Sequence, residues 1–424
     1  MQVAQLSAEQ VTSVSSIQRA IDDLPDEGGR LVLPEMDMVL DRGIRLRSGV
    51  ELVGQGRHTV LRHARSRVYP LSGYHNYGMR DVPLQFTDGL VSGMTVTMRD
   101  RSHGGFYETF ARITWVEEGW VGLDRGLHSD YRQDEEPFLA TSFPLIYGEE
   151  VHDVAVRSLT LDGRRDIQPT GIGACRGAAL YFIRTARFTV EDVHESGFAG
   201  EGLGFQMCSH GHIRRCHFEH NSGNGFHPGA GSTGVLFEEC ASNGNEQAGF
   251  YFCVRANHIT VRRCSFTDNR AAGLSVGTRD CYNLVEDCQM LENDGPGILV
   301  RANVRPVEVH SCLFRGCLVH GNARVCGHGQ VDVLGDAHDV ILAGNQIVGL
   351  PGQEKPGIYL APAVQRVALQ ANEITGCFPA VVGGRGDLAG EPLAFACGHE
   401  EIHEQHLRHL GLSESPAPPD LRAV

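Results

Sequence analysis

Three residue types recur at one fixed step. Cys216, Cys240, Cys264, Cys288 and Cys312 stand 24 residues apart, as do Asn221, Asn245, Asn269 and Asn293, and Gly225, Gly249, Gly273 and Gly297. Three columns held over four periods mark a solenoid, in which each repeat buries its apolar face only against its neighbours. Strand-like pairs such as Ile259/Val261 and Leu274/Val276 fall between turn residues in each period. Short strands stacked in parallel at about 4.8 Å per coil, with alternate side chains inward, satisfy this pattern. The expected fold is all-β: a right-handed parallel β-helix.

The columns have scaffold roles. An asparagine at the same turn of successive coils can hydrogen-bond its neighbours above and below. The cysteine column reads as a stack of small buried side chains; no CxxC pair occurs in it to suggest a metal site. Just before the cysteines stand Arg214-Arg215, Glu238-Glu239, Arg262-Arg263 and Glu286-Asp287. Sign alternates from coil to coil, so these charges read as a salt ladder that fixes register.

Around the repeat, the expected division is 1–67 for an N-terminal cap and first coils, 68–148 for a small antiparallel β insertion, 149–377 for the β-helix, and 378–424 for a tail with a short helix. In residues 16–24, Ile17, Ala20, Ile21 and Leu24 share one helical face, suited to covering the open end of the solenoid. Runs such as Met94–Met98 and Phe110–Val121 alternate like antiparallel strands.

The net charge of -15 argues against a broad nucleic-acid surface, and no apolar run nears the roughly 18 residues of a membrane span. Thirteen cysteines, an odd number at mostly buried-looking positions, favour a reducing compartment. Met1–Gln10 lacks the pattern of a signal peptide, so the expectation is cytoplasmic, with secretion the alternative for a chain whose leader has been removed.

The stretch SIQRAIDDLPDEGGRLVLP, followed by GIRLRSGVELVGQG, resembles the opening of the pectate-lyase-like superfamily of β-helix proteins. GFHPGAGS, GFYFCVRANH and GLSVGTRDCYN resemble segments of its bacterial members. The resemblance covers most of residues 15–377 and implies the β-helix fold. That superfamily spans lyases, hydrolases, epimerases and phage tail proteins, so the reaction must come from the site. The calcium-binding aspartate cluster and catalytic motif of the well-known pectate lyases are absent.

Function is expected on the strand after the glycine column, whose outward residues differ from coil to coil. The second residue after each glycine reads Ala179, Gly204, His227, Tyr251, Ser275; the fourth reads Tyr181, Gln206, Gly229, Cys253, Gly277, Arg301; the sixth includes Arg255 and Arg279. Alternation is expected to bring His227, Tyr251, Arg255 and Arg279 onto one surface, with Glu201 beside Gly202. Histidine and tyrosine carry protons, and arginines hold a carboxylate and stabilise an enolate-like intermediate. The sequence thus points to a lyase or uronate epimerase acting on an acidic carbohydrate. His227, Tyr251, Arg255 and Glu201 are its catalytic candidates; Arg279, Gln206, Asp162, Asp280 and Arg301 are candidates for binding substrate. No metal or other cofactor is required, although a divalent cation such as calcium is compatible, and so is self-association; neither nucleic acid nor membrane is an expected partner.

Two alternatives stand. A glycoside hydrolase would pair Asp162, in Leu161-Asp162-Gly163, with Glu201, since hydrolysis needs two carboxyl groups roughly 5–9.5 Å apart. A non-catalytic glycan-binding or tail-type protein would use the same wall without chemistry. In the tail, His399, His403 and His406 fit a zinc-like HExxH spacing, which reads better as a solvated helix, and Arg385-Gly386-Asp387 carries no weight.

Overall fold

In the computed structural model, which describes residues 2–383 apart from 103 and 174, successive coils stack as three parallel walls. Wall one includes Ser209–Arg214, Thr233–Glu238 and Asn257–Arg262; wall two includes His217–Glu219, Ala241–Asn243 and Ser265–Thr267. Wall three is an 11-stranded sheet running from Ile44–Arg45 to Val381–Gly383. Pairing within the walls is parallel and in register, for example Val235 on Ile259 and Phe250 on Leu274. The tail motifs at 385–387 and 399–406 lie outside the described residues.

Inward side chains close the tube. Phe237 meets Phe250 and Phe226 edge-on, at ring-centroid distances of 4.8 and 5.4 Å, all three fully buried. At the corner between walls two and three, Asn221 Nδ2 donates to Asn245 Oδ1 (3.1 Å), Asn245 to Asn269 (2.9 Å), Asn269 to Asn293 (3.0 Å) and Asn293 to Asn322 (2.8 Å). The cysteine stack is equally direct, with the Cys240 amide donating to Cys264 Sγ at 3.4 Å.

One member of that column is corrected. Gln289 pairs with Leu318, so Cys317, not Cys312, follows Cys288 in the stack. Likewise Asn293 bonds Asn322, 29 residues on. The coil lengthens around Arg305-Pro306, and Cys312 falls in the wall-one strand His310–Arg315.

The alternating charges form the expected ladder. Arg262 joins Glu286 (2.6 Å) and Glu238 (3.6 Å), Arg263 joins Glu239 (3.3 Å), and Arg215 joins Asp192 (2.8 Å). Arg215, Glu239, Arg263 and Asp287 are left-handed, with φ of 52–54°. Each therefore turns the corner from wall one to wall two with its side chain directed outward.

At the N-terminal end the helix is Val14–Asp22, burying Val14, Ile17 and Ile21. It starts two residues earlier than the sequence pattern suggests because Ser16 Oγ accepts the Ser13 amide at 3.3 Å and so begins the first turn there. Between the early coils, Val68–Pro70, Asp81–Pro83, Thr95–Arg99, Thr109–Glu117, Trp120–Leu123 and Phe138–Ala140 form a six-stranded antiparallel sheet with its own core. His63 fastens its exit. Its ring stacks on Phe143 at 4.0 Å, Nδ1 lies 2.5 Å from the Ala64 carbonyl, and Nε2 accepts the Phe143 amide at 3.3 Å.

Two outcomes are expected. Asn269→Ala removes ladder bonds and orphans buried partners, so urea unfolding should show a loss of about 1–3 kcal/mol. Burial lowers His63 to about 4. The unfolded chain then takes up the proton first, and stability contributed at neutral pH is lost as pH falls from about 6.5 towards 4, by roughly 3 kcal/mol in all. His63→Gln should flatten that part of the stability–pH curve; an unchanged curve would contradict the assignment.

Candidate active site

The outward face of wall three aligns Tyr147, Tyr181, Gly204, His227, Tyr251 and Ser275 in one column. Counting from the glycines had put Ala179 level with Gly204. The register instead places Tyr181 there and Ile183 level with Gln206, because pairing between Ala178–Ile183 and Glu201–Gln206 starts at Ala178.

Although it points outward, His227 is only 1% exposed, and Glu201 only 4%. The cover comes from the long connection between Asp162 and Ala178, whose described residues bring Cys175 over wall three. Its Cys175 carbonyl accepts the Tyr181 hydroxyl at 2.9 Å, and its Gly173 amide donates to Glu108 of the insertion at 2.8 Å. Held in this way, Cys175 sits against His227 and Cys253, with one ligating atom from each of the three lying within 4.8 Å of the others. On the far side, His227 Nδ1 is 3.5 Å from Glu201 Oε1. Glu201 is itself fixed by the Asn224 amide (2.8 Å) and side chain (3.2 Å).

These contacts set the charges. Burial opposes an imidazolium, but Glu201 and Cys253 outweigh it and push His227 up to about 10. The hydrogen bond from Cys175 outweighs burial at Cys253, and with His227 brings that thiol down to about 5. The same hydrogen bond, together with burial, holds Cys175 protonated. Cys175, His227, Cys253 and Glu201 thus form one buried polar cluster.

Next to it lies a second constellation. Arg301 bends back across two coils. Its guanidinium donates to Ser275 Oγ (2.7 Å) and to the Phe252 carbonyl (2.6 Å), stands 3.5 Å from Asp280 Oδ2, and covers the Tyr251 ring at 4.0 Å. Gly277 makes this path: a Cβ there would come within 1.9 Å of Arg301 Nη2. Tyr251 in turn meets His227 edge-on at 5.4 Å. Asp280 accepts the Ala256 (2.9 Å) and Gly277 (2.8 Å) amides, and burial, partly countered by Arg301, brings it up to about 7.

The sequence-derived candidates divide accordingly. His227, Tyr251, Glu201, Asp280 and Arg301 converge. Gln206 is buried beside them, its Oε1 accepting the Ala230 amide at 2.7 Å and its Nε2 left without a partner. Arg255 and Arg279 do not join the group. Both are exposed, left-handed residues (φ 65° and 56°) on the corner between walls three and one, where strand alternation no longer applies. Asp162 is not paired with Glu201; on wall two it binds Arg62 and accepts the Arg164 amide at 2.9 Å. Cys175 and Cys253 were not among the site candidates: Cys253 was read only as one member of a column, and the sole sequence sign of Cys175 is the length of its coil.

The insertion overhangs one end of this wall. A small recess is lined by Phe110, Arg125 and His128 of the insertion and by Tyr147, Arg176 and Tyr181 of the solenoid. Arg125 is held by Glu149 in two bonds of 2.6 and 2.7 Å, and Arg176 by the Phe106 carbonyl at 2.6 Å. Gly277→Ala is expected to unseat Arg301 alone: a crystal structure of the variant should show the guanidinium off the Tyr251 ring on an unchanged solenoid.

Comparison with known proteins agrees with the fold. Residues 229–380 match the family described as right handed beta helix region. The structure resembles the A-module of the mannuronan C-5 epimerase AlgE4 of Azotobacter vinelandii at 16% identity and a TM-score of 0.55, covering 89% of this chain and 97% of that one. It also resembles the endo-xylogalacturonan hydrolase of Aspergillus tubingensis (11% identity, TM-score 0.54, 93% and 99% covered). A polygalacturonase of Erwinia carotovora ssp. carotovora gives 12% identity and a TM-score of 0.52, with 92% and 96% covered. No curated protein sequence matches the chain. At such identities the likeness concerns the fold.

Proposed function

We propose that this chain, a right-handed parallel β-helix with the fold of the pectate-lyase-like superfamily, is a carbohydrate-active enzyme that transfers a proton beside the carboxylate of an acidic sugar. The observation that carries the reading is Arg301, laid over Gly277 onto the Tyr251 ring next to His227. A guanidinium fixed in this way attracts a carboxylate through its remaining N–H groups and stabilises the enolate-like charge that forms when the neighbouring carbon loses its proton. Tyr251, half-buried on the outward face, is the proton carrier; His227 is too deeply buried to meet substrate and positions the site from below. Arg176 at the overhang favours an anionic chain along the same column. Expulsion of the neighbouring substituent makes the reaction an elimination; return of a proton to the opposite face makes it an epimerisation. The structural neighbours named as an epimerase and as uronan hydrolases support an acidic polysaccharide or oligosaccharide as substrate.

Hydrolysis is less well served. Two carboxyl groups must face each other across the bond, yet Glu201 is followed in its column by Asn224 and Asp162 is taken by Arg62.

Incubation in deuterated water with uronate oligosaccharides of several types, followed by NMR, separates the outcomes. Deuterium at the carbon beside the carboxylate, or an unsaturated uronate, is expected. New reducing ends with neither would overturn the reading in favour of hydrolysis. Tyr251→Phe and Arg301→Ala should each lower turnover about 10²–10⁴-fold, whereas Arg255→Ala should remain within about twofold of the parent; equal losses in all three would move the site elsewhere.

A further inference from the structure

We infer that Cys175, His227 and Cys253 bind one thiophilic divalent metal ion, with zinc as its natural probe. The binding stands on geometry alone; its consequence for chemistry rests on the proposed function, because the ion would fix His227 beneath Tyr251.

The donor set is the first argument. Two thiol sulfurs and one imidazole nitrogen are characteristic zinc ligands, and a tetrahedral centre with bonds of about 2.0–2.3 Å places its ligand atoms roughly 3.3–3.8 Å apart. Here the three atoms already lie within 4.8 Å of one another, all in buried residues. Three protein ligands leave a fourth place for a water molecule.

The second argument is independent. His227 is 1% exposed, and among the described residues neither ring nitrogen has a hydrogen-bond partner of good geometry, Glu201 Oε1 standing 3.5 Å from Nδ1. A buried imidazole satisfied this loosely has room for a further partner. An ion would take one nitrogen, and Glu201 at 3.5 Å is placed to tighten onto Nδ1, the carboxylate–histidine–metal arrangement that orients a ligating ring. Metal binding needs both sulfurs as thiolates and the ligating nitrogen bare, so the protons lost on binding pass to solvent.

Other clusters lack this combination. In the cysteine column the thiols donate to backbone carbonyls, as Cys240 does to Glu238 at 3.2 Å, and no histidine joins them. His194, His217 and Glu219 also lie close together, but both imidazoles already bond the carboxylate at 3.1 Å, and all three are partly exposed.

The test uses the full chain, reduced and stripped with a chelator, then titrated with Co²⁺ and back-titrated with Zn²⁺. A thiolate-to-cobalt charge-transfer absorption saturating at one ion per chain and bleached by Zn²⁺ is expected. Cys253→Ser and Cys175→Ser should abolish it while circular dichroism stays unchanged. Glu201→Gln should keep the absorption with affinity roughly 10–100-fold weaker. His217→Ala should leave it intact, which excludes the His194 cluster. Absence of the band in folded, reduced protein, or its persistence in Cys253→Ser, overturns the metal site. Turnover read in the same samples keeps the two claims apart: a band without sugar chemistry sinks only the proposed reaction, and sugar chemistry without a band sinks only the metal.

Discussion

Each coil of this protein is held by the one below it, and the pairing register between them governs everything else. A slip of one residue would turn every inward side chain of a strand outward, ejecting Phe226, Phe250 and Leu274 from the tube. Two ladders prevent it. Asn221 to Asn322 hand one buried amide to the next at one corner, and the alternating Arg/Glu pairs do the same with charge at another. Neither occupies the outward face of wall three. Its outward face is thus relieved of holding the stack together, and can carry residues that differ from coil to coil.

That division explains how a polar cluster survives in such a fold. Glu201, His227, Tyr251, Asp280 and Arg301 come from successive coils, yet stand within contact because each coil adds only one strand spacing. Burial raises the stakes: in a low-dielectric setting an unpaired charge is expensive, so the site is neutralised in detail. Glu201 faces His227, His227 faces Cys253, and Arg301 is shared among Asp280, Ser275 and a carbonyl. Gly277 contributes by having no side chain, since it is the opening through which Arg301 crosses.

The repeat made the fold legible from residue identities alone, and alternation after the glycine column singled out His227 and Tyr251. Legibility failed where local geometry departs from the repeat. Arg255 and Arg279 sit two residues too far, past the end of the strand, at a left-handed corner that alternation does not describe. Cys312 looked periodic by spacing, but a longer coil moved the stack to Cys317. Cys175 arrives by a connection folded back over the wall, and a fold-back leaves no periodic trace. Its partner Cys253 was visible in a column, yet meant little until the second thiol was placed.

Wall three, beneath the antiparallel insertion, is the surface proposed to bring an acidic sugar to Arg301 and Tyr251. The most direct measurement is a crystal structure of the protein with a bound uronate oligosaccharide. The predicted result is a sugar carboxylate within hydrogen-bond reach of the Arg301 guanidinium, with the ring over Tyr251 and the chain running towards Arg176. An oligosaccharide seated on wall one or two, leaving Arg301 untouched, would contradict it.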